Sequence, residues 1–516
     1  MKRLLMQFSP SFLSLPVAAL PVLKARDFEF VGGVYYGNNR FHDWLVNQPE
    51  CAGRPILHPD LEELEWAARP LDRAELERIR DRYGDDVLHK IIIGERHVGF
   101  GYVNGAMITE TQLTRVIEQG GNEAVWQYVI SLVQTIEKFL DRTRPDLVFQ
   151  YAVAGAVALA VHIVAKERGI ATFSFIHTRI ENELLIATPQ GLDDHGQAIL
   201  QMVEDGDERS IQRAREHIHA FREKPRQPEY SSFTAQKLRR QRSLRGMARG
   251  FAKMAYGMVS TKYDTPHSSR FFNGLNEFRA PLRNRSEERV LRRLSSSFEG
   301  FANRPYAFYP LHVDPEASTM VISPHHTDQA HVIQRIAQSL PVGMPLLVKE
   351  HLPMVGRRPR GFYERLYRMP GVSLLTADSE PHQLVRNASL VVSITGTACL
   401  EAVILGRPAL LFGRPYFSHM EQGITRLEDH ASLREAVVSA LESSPAPDDH
   451  LERFLGGILA NSTSIPSDML WSTRAQGDPE SMRPTAERFA DLLARSCKRA
   501  LMDLPSSSGI GENANS

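Results

Sequence analysis

The clearest pattern in the chain is an apolar stripe at helical spacing between Glu110 and Arg142. Val116, Ile117, Val125, Val129, Ile130, Leu132, Val133, Ile136, Phe139 and Leu140 recur every three or four positions, which predicts a long helix. Arg144-Pro145-Asp146 ends it, and Leu147-Val148-Phe149 opens a buried strand. An alanine-rich helix follows from Ala152 to Arg168, closed by Gly169, and Ala171 to Ile176 reads as the next strand. That order is a βαβ unit of a parallel sheet. Upstream, Phe28 to Val31 predicts a strand running into a turn rich in Gly and Asn (Gly32, Gly33, Gly37, Asn38, Asn39). Asp72 to Arg82 predicts a helix, and Val87 to Ile93 another strand.

A second alternating block starts near Pro305. Strands are expected at Tyr306–Tyr309, Leu346–Val348, Val372–Leu375, Leu390–Ile394 and Ala409–Phe412. Helices are expected at Asp328–Ser339, Gly361–Arg368, Glu380–Asn387 and Thr397–Leu405. This is the signature of a doubly wound sheet. The stretch from about Asp193 to Glu299 is charged, helical and poor in strand signals, and the chain turns helical again after Phe417. The expected architecture is α/β, with two Rossmann-like lobes and a helical insertion between them. Its parts are an N-terminal lobe over 1–190, the insertion over 191–300, a C-terminal lobe over 301–430, helices over 431–504 and a disordered tail over 505–516. Ligands of such sheets bind beyond the carboxyl ends of the strands, so two facing edges would make a deep cleft.

Composition narrows the class. The 516 residues hold 61 Lys plus Arg against 61 Asp plus Glu, so the molecule as a whole has no bias toward nucleic acid and any basic surface is local. Cys51, Cys399 and Cys497 show neither CxxC nor metal-ligand spacing, so no disulfide framework and no metal site is expected, and a reducing cytoplasm fits. Met1-Lys2-Arg3 before a partly apolar stretch outlines a signal peptide. Pro10, Pro16 and Pro21 interrupt it, and a frayed or docking N-terminal arm is the preferred reading. No stretch reaches the roughly twenty apolar residues of a membrane span. Between Lys237 and Lys253, seven basic residues (Lys237, Arg239, Arg240, Arg242, Arg245, Arg249, Lys253) occur without an acid, beside Leu238, Leu244, Met247, Phe251 and Met254. Such a segment either lies on an anionic membrane or packs by its apolar side.

Chemistry concentrates at predicted strand ends. After Ile394, the loop Thr395-Gly396-Thr397 enters a helix directly. Gly396 permits close approach, Ser393, Thr395 and Thr397 offer hydroxyls to phosphate, and Glu401 could accept from a ribose diol. The plainer alternative is a helix cap. Lys349-Glu350-His351 follows another strand. Lys349 could neutralise phosphate and His351 could assist the leaving group, with Arg357 and Arg358 adding positive charge. His312, Asp314 and Glu316 follow the first strand of the second block. On the other lobe, His177, Arg179 and Glu181 follow one strand, and Glu95-Arg96-His97 would follow another. A carboxylate or imidazole there could serve as acid or base.

The run from Tyr309 to Phe417 resembles the bacterial capsule polysaccharide biosynthesis proteins, Kdo-transferase-like enzymes of the GT-B type. The likeness rests on Pro310-Leu311-His312 with Glu316-Ala317-Ser318, on Lys349-Glu350-His351, and on Thr395-Gly396-Thr397 with Glu401-Ala402 and Gly406-Arg407-Pro408. Leu352 stands where the family pattern has Pro, with Pro353 one place later, and His312 stands where some members have Gln. The resemblance implies a glycosyltransferase moving a sugar, Kdo from CMP-Kdo among the options, from a nucleotide donor to a growing surface polysaccharide or lipid-linked glycan. Lys349, Glu350, Ser393, Thr395, Gly396, Thr397, Glu401, His312 and Glu316 would be on the donor side, and His351, His177 and Glu181 are the catalytic candidates. From the residues themselves, no metal or other cofactor is expected, and a cytoplasmic place with peripheral inner-membrane contact through Lys237–Lys253 is the expectation. Two alternatives stay open: a nucleotide-sugar 2-epimerase of the UDP-GlcNAc type, and a non-catalytic assembly factor with the same fold.

Overall fold

The computed structural model describes residues 1–96, 98–99, 111–189, 192, 195–225, 244–262, 264–266, 269–470 and 479–502. Its strands are β1 (Lys2–Phe8), β2 (Phe28–Tyr35), β3 (Ile56–Leu57), β4 (Leu147–Gln150), β5 (Ala171–His177), β6 (Glu183–Ala187), β7 (Ala307–Pro310), β8 (Leu346–Lys349), β9 (Val372–Leu375), β10 (Leu390–Ser393), β11 (Ala409–Leu411), β12 (Ile424–Arg426) and β13 (Thr463–Ser464). They form two sheets, ordered β13-β6-β5-β4-β1-β2-β3 and β12-β11-β10-β7-β8-β9. The second is parallel throughout; in the first, only β6 opposes its neighbours. Helices cover these sheets, giving two Rossmann-like lobes. The short apolar runs of the second block suit strands buried on both faces.

Three expectations need correction. The first residues are not an arm: Lys2–Phe8 is β1, in the middle of the first sheet, and Leu4, Leu5, Met6 and Phe8 are fully buried. Gly32 and Gly33 do not make a turn but lie inside β2, because a Cβ on Gly33 would meet the Phe8 ring at 2.6 Å and one on Gly32 the Pro55 carbonyl at 2.8 Å. Val87–Ile93 is not a strand but part of the helix Asp85–Gly94. Leu88, Ile91 and Ile92 bury at helical spacing, and Asp85 and Asp86 favour the positive helix start. Glu95 and Arg96 therefore follow a helix end.

The long helix spans Gln112–Thr143, kinked at Gly121 (φ 62°) and capped by Thr111. Glu110 and His97 lie outside the described residues, as do Asp193, Lys237–Arg242 of the basic stretch and the tail from Pro505. The chain's last described helix, Pro479–Met502, returns to the first lobe, where Phe489 packs at 4.9 Å from Phe149 and 5.4 Å from Phe175. The helices Glu208–Glu223 and Asp448–Ala460 lie side by side, tied by Arg215–Glu452 and Arg222–Asp448 ion pairs. One core cluster joins Ile176, Ile180 and Leu185 of the first lobe to Tyr416, Phe417 and Phe454, and so ties the two lobes together. No described helix is long and apolar enough to cross a membrane.

Candidate functional site

Strand ends of both lobes meet at one place. The Tyr416 hydroxyl donates to the Thr178 carbonyl at 2.6 Å, binding the second lobe to the turn after β5. From that turn Arg179, held at φ 65°, bears on Glu316 and Glu401, and Arg96 on Glu316 as well, in each case against a larger effect of burial that raises the carboxyl. A hollow of about 470 Å³ beside Arg3, Arg54 and Arg142 lies at the opposite end of the first sheet and takes no part in this convergence.

On the second lobe, β7 and β10 run side by side, so His312 reaches the loop after β10. Its Nε2 accepts the Ile394 amide at 3.1 Å and, less closely, the Thr395 amide at 3.4 Å, with the Ser393 hydroxyl at 3.1 Å. A nitrogen accepting amide protons cannot carry one, so the ring proton sits on Nδ1. Burial pushes this imidazole down to about 3, with the positive charge of Arg358 and nearby His351 acting the same way. The Gly396 amide donates to Ser393 Oγ at 3.0 Å, and the Thr395 hydroxyl donates to the Ser318 carbonyl at 3.1 Å. The anion cradle expected here is thus narrower than the sequence suggested. The amides of Ile394, Thr395 and Gly396 hold the loop's own shape, and Ser393 is fully buried. What remains half-exposed is Gly396, Thr397 and Ala398. Among the described residues the amides of Thr397 and Ala398 have no partner.

Glu401 lies one turn into the helix Ala398–Ile404, its side chain 23% exposed, with Thr397 Oγ1 at 3.4 Å and His382 Nε2 at 3.7 Å. Burial lifts its carboxyl to about 7, against the Thr397 hydrogen bond and the Arg179 charge. A group near 7 changes charge in the working range of an enzyme.

The Lys349-Glu350-His351 run divides. Lys349 is half-buried, and burial lowers its pKa against the pull of Glu350, Asp378 and Glu380. His351 is exposed beside it. Glu350 was expected on the donor side, but its carboxylate points inward. Arg358 meets it through Nε at 2.8 Å and Nη2 at 3.0 Å, Tyr363 donates at 2.9 Å, and the His351 amide at 2.7 Å. Arg358 also pairs with Asp314 at 2.7 Å and donates to the His312 carbonyl at 2.5 Å. Thr319 and Gln329 complete Asp314, and Gln329 Oε1 accepts the His312 amide at 2.8 Å. Arg358, expected as a cation for ligands, is therefore an internal clamp. It holds the loops after β7 and β8 together, with its side chain 2% exposed. Nothing in the sequence spacing signalled this; the seven residues between Glu350 and Arg358 fold back through a turn.

On the first lobe, His177 Nε2 and the Tyr151 hydroxyl are 2.8 Å apart, and burial pushes His177 down to about 3, with Arg179 acting the same way. Tyr151 was missed, although it directly follows β4 and the strand-end rule that found His177 would have found it. Glu181, at φ 49°, is exposed, and its charge bears on His217 of the helix Glu208–Glu223. Glu316 is exposed in the cleft, with Ser318 donating to it at 3.0 Å. No group of three or more His, Cys, Asp or Glu among the described residues is arranged to hold a metal ion.

Several known proteins are similar to this chain. The KpsC beta Kdo 2,7 transferase of Thermosulfurimonas dismutans is 13% identical, over 60% of this chain and 80% of that one, at a TM-score of 0.32. The UDP-GlcNAc 2-epimerase of Methanocaldococcus jannaschii is 12% identical, over 96% and 99%, at 0.23. S. aureus MnaA, solved with UDP, is 8% identical, over 97% of each, at 0.27. Superpositions this loose carry no weight for function. No curated protein matches the chain. The family model for capsule polysaccharide biosynthesis protein matches residues 207–443, a span that begins at the helix Glu208–Glu223 and contains the whole second sheet with His312, Lys349, Arg358, Thr397 and Glu401. Over residues 207–443, therefore, the chain is similar to the capsule polysaccharide biosynthesis protein family.

Proposed function

We propose that the chain is a glycosyltransferase of surface-polysaccharide synthesis that takes its sugar from a nucleotide donor, with CMP-Kdo the first donor to test. The observation that carries this reading is that Arg179 of the first lobe bears on Glu401, which stands one turn behind the unpartnered Thr397 and Ala398 amides of the second. In this proposal the donor phosphate lies against the Gly396–Ala398 loop, with the Thr397 hydroxyl and Lys349 as further donors. Glu401 takes the ribose hydroxyls, and His351 stands by the leaving phosphate. Ser393, Thr395, His312 and Glu350 act through the shape of the loops, not by contact.

Transfer also needs a base for the acceptor hydroxyl. His177 suits that role poorly, since an imidazole held near 3 keeps little affinity for a proton at neutral pH. Glu181 bears electrostatically on His217 and is not among the charges acting on Glu316 or Glu401. Glu316, exposed between Arg96 and Arg179, is the carboxylate we assign to it. The acceptor glycan would then approach from the first lobe, past Tyr151 and Arg179.

The test is a thermal-shift panel of CMP-, UDP- and GDP-sugars on the full chain and on Glu401→Ala. A donor at a hundred times its Kd stabilises by about 2.7 kcal/mol. One nucleotide class should raise Tm, and Glu401→Ala should lose the shift. If no class raises Tm the proposal fails. Turnover of the bound donor without any acceptor would assign an epimerase instead.

A further inference from the structure

We infer that the helix Leu244–Gly257 docks this chain on an anionic lipid bilayer, using the face opposite its glycine seam. The helix forms a hairpin with Arg270–Leu294. The seam is Gly246, Gly250 and Gly257, all buried. A Cβ on Gly250 would lie 2.5 Å from the Phe278 amide nitrogen, and one on Gly257 2.5 Å from that of Phe271. The two backbones touch, so the hairpin closes on glycine with Met247 and Met254 half-buried beside the seam, while most of Phe251 (its ring 6.3 Å from that of Phe278) and of Tyr256 stays out of it.

Those residues face outward instead. Phe251 and Tyr256 are 56% exposed, and Met258 and Val259, which follow the helix, are 71% and 82% exposed. At 3.6 residues per turn, Ala248, Ala252 and Ala255 line the outer face. Arg245, Arg249 and Tyr256 flank it on one side and Phe251 on the other. The packing that the sequence also allowed is thus partial: Met247 and Met254 are half-buried, while Phe251 remains 56% exposed. Large side chains left in water beside fixed positive charge mark a surface with a partner.

Charge selects the partner. The helix carries Arg245, Arg249 and Lys253 and no acid, and its hairpin mate adds seven arginines against three glutamates, in a chain whose total charge is zero. Lys253 pairs with Glu277 and Arg270 lies 5.0 Å over the Tyr256 ring, while Arg245 and Arg249 have no ion pair among the described residues. A second copy would set cation against cation. A soluble polyanion would answer the arginines but leave Met258 and Val259 in water. An anionic bilayer meets both needs, with headgroups for the arginines and acyl chains for the apolar residues.

The experiment is co-sedimentation of the full chain with phosphatidylglycerol-rich vesicles and with pure phosphatidylcholine vesicles. It compares the unaltered protein with R245Q/R249Q and with M258S/V259S, each checked for an unchanged Tm. The expected result is binding to the anionic vesicles alone, weakened about tenfold or more by either pair. Equal binding to phosphatidylcholine, or full binding by either variant, overturns the proposal. So does a variant whose only change is its mass at sedimentation equilibrium, which would make this face a contact between copies. Heparin binding that survives M258S/V259S, with no vesicle binding at all, would make it a polyanion site and equally end the proposal.

Discussion

The Nε2 atom of His312 accepts the Ile394 amide at 3.1 Å, so one imidazole joins the loop after β7 to the loop after β10. It is a neutral acceptor inside the loop that gives the site its form. Glutamine, which also offers an acceptor at the end of its side chain, should replace it. We expect His312→Gln to lose less than about 1 kcal/mol and His312→Ala about 1–3 kcal/mol, because alanine leaves a buried amide unpaired. Urea denaturation at neutral pH measures the difference, and equal losses would deny the bond this role.

The same ring sets an acid sensitivity. His312, His326 and His58 are buried and held at about 3, 3 and 4, against 6.5 for the free side chain. Below 6.5 the unfolded chain takes up protons that the folded one refuses, so stability is full above that pH and falls toward 3–4. Each such group approaches a loss of about 1.4 kcal/mol per pH unit. Unfolding at pH 7.5 and 5.5 should show His312→Gln losing less on acidification than the unaltered chain. Parallel losses would contradict the buried neutral state.

Arg358 predicts a larger effect. With both Glu350 and Asp314 on it and 2% of its side chain exposed, Arg358→Met strands two buried carboxylates. A loss of about 3–5 kcal/mol is expected. Arg453→Met, which breaks the exposed pair with Asp449, should cost no more than about 1 kcal/mol. Similar urea midpoints for the two variants would count against the clamp.

These cases show what the sequence could carry. Five of the six strands of the second sheet were legible because they are short, mainly apolar and punctuated by Gly and Pro, as at Leu390–Ser393 before Gly396 and at Ala409–Leu411 after Pro408, whereas the polar β12 was missed. The helix Asp85–Gly94 was misread because three isoleucines in a row favour strand locally, and packing against the helices around Leu159 and Val129 overrode that. β1 was misread because its charged start and apolar run look alike in a leader and in a central strand. At the candidate site, the strand ends pointed to loops that pack together, as His312 does with Ile394, but which groups turn inward was not encoded in spacing. Lys349 and Glu350 are adjacent in sequence, yet Glu350 turns inward to a partner that the sequence does not announce.

Glu401 offers a pH test of donor binding. If its carboxylate takes the ribose hydroxyls, affinity should rise with pH through about 7, since deprotonation creates the acceptor. A charged hydrogen bond is worth about 1.5–3 kcal/mol, so calorimetric Kd values at pH 6 and 8 should differ by about tenfold. Glu401→Gln should flatten the profile. A dependence that persists in the glutamine variant would place the titrating group elsewhere.

Glu316→Gln separates binding from transfer. Donor binding should stay within about threefold, while transfer to acceptor falls about a hundredfold or more, the scale expected when a general base is lost. Single-turnover transfer and donor affinity, measured on the same preparation, decide it. A transfer rate within tenfold of the unaltered chain would remove Glu316 from the role.

The return of Pro479–Met502 to the first lobe has a consequence for biosynthesis. All the strands of the second sheet lie between Ala307 and Arg426, so it can assemble as soon as that stretch leaves the ribosome. The first sheet contains the earliest strand of the chain, but the aromatic face around Phe149 and Phe175 waits for Phe489. The lobe that is translated first is therefore completed last. Until Pro479–Met502 has been made, that aromatic face lacks its cover.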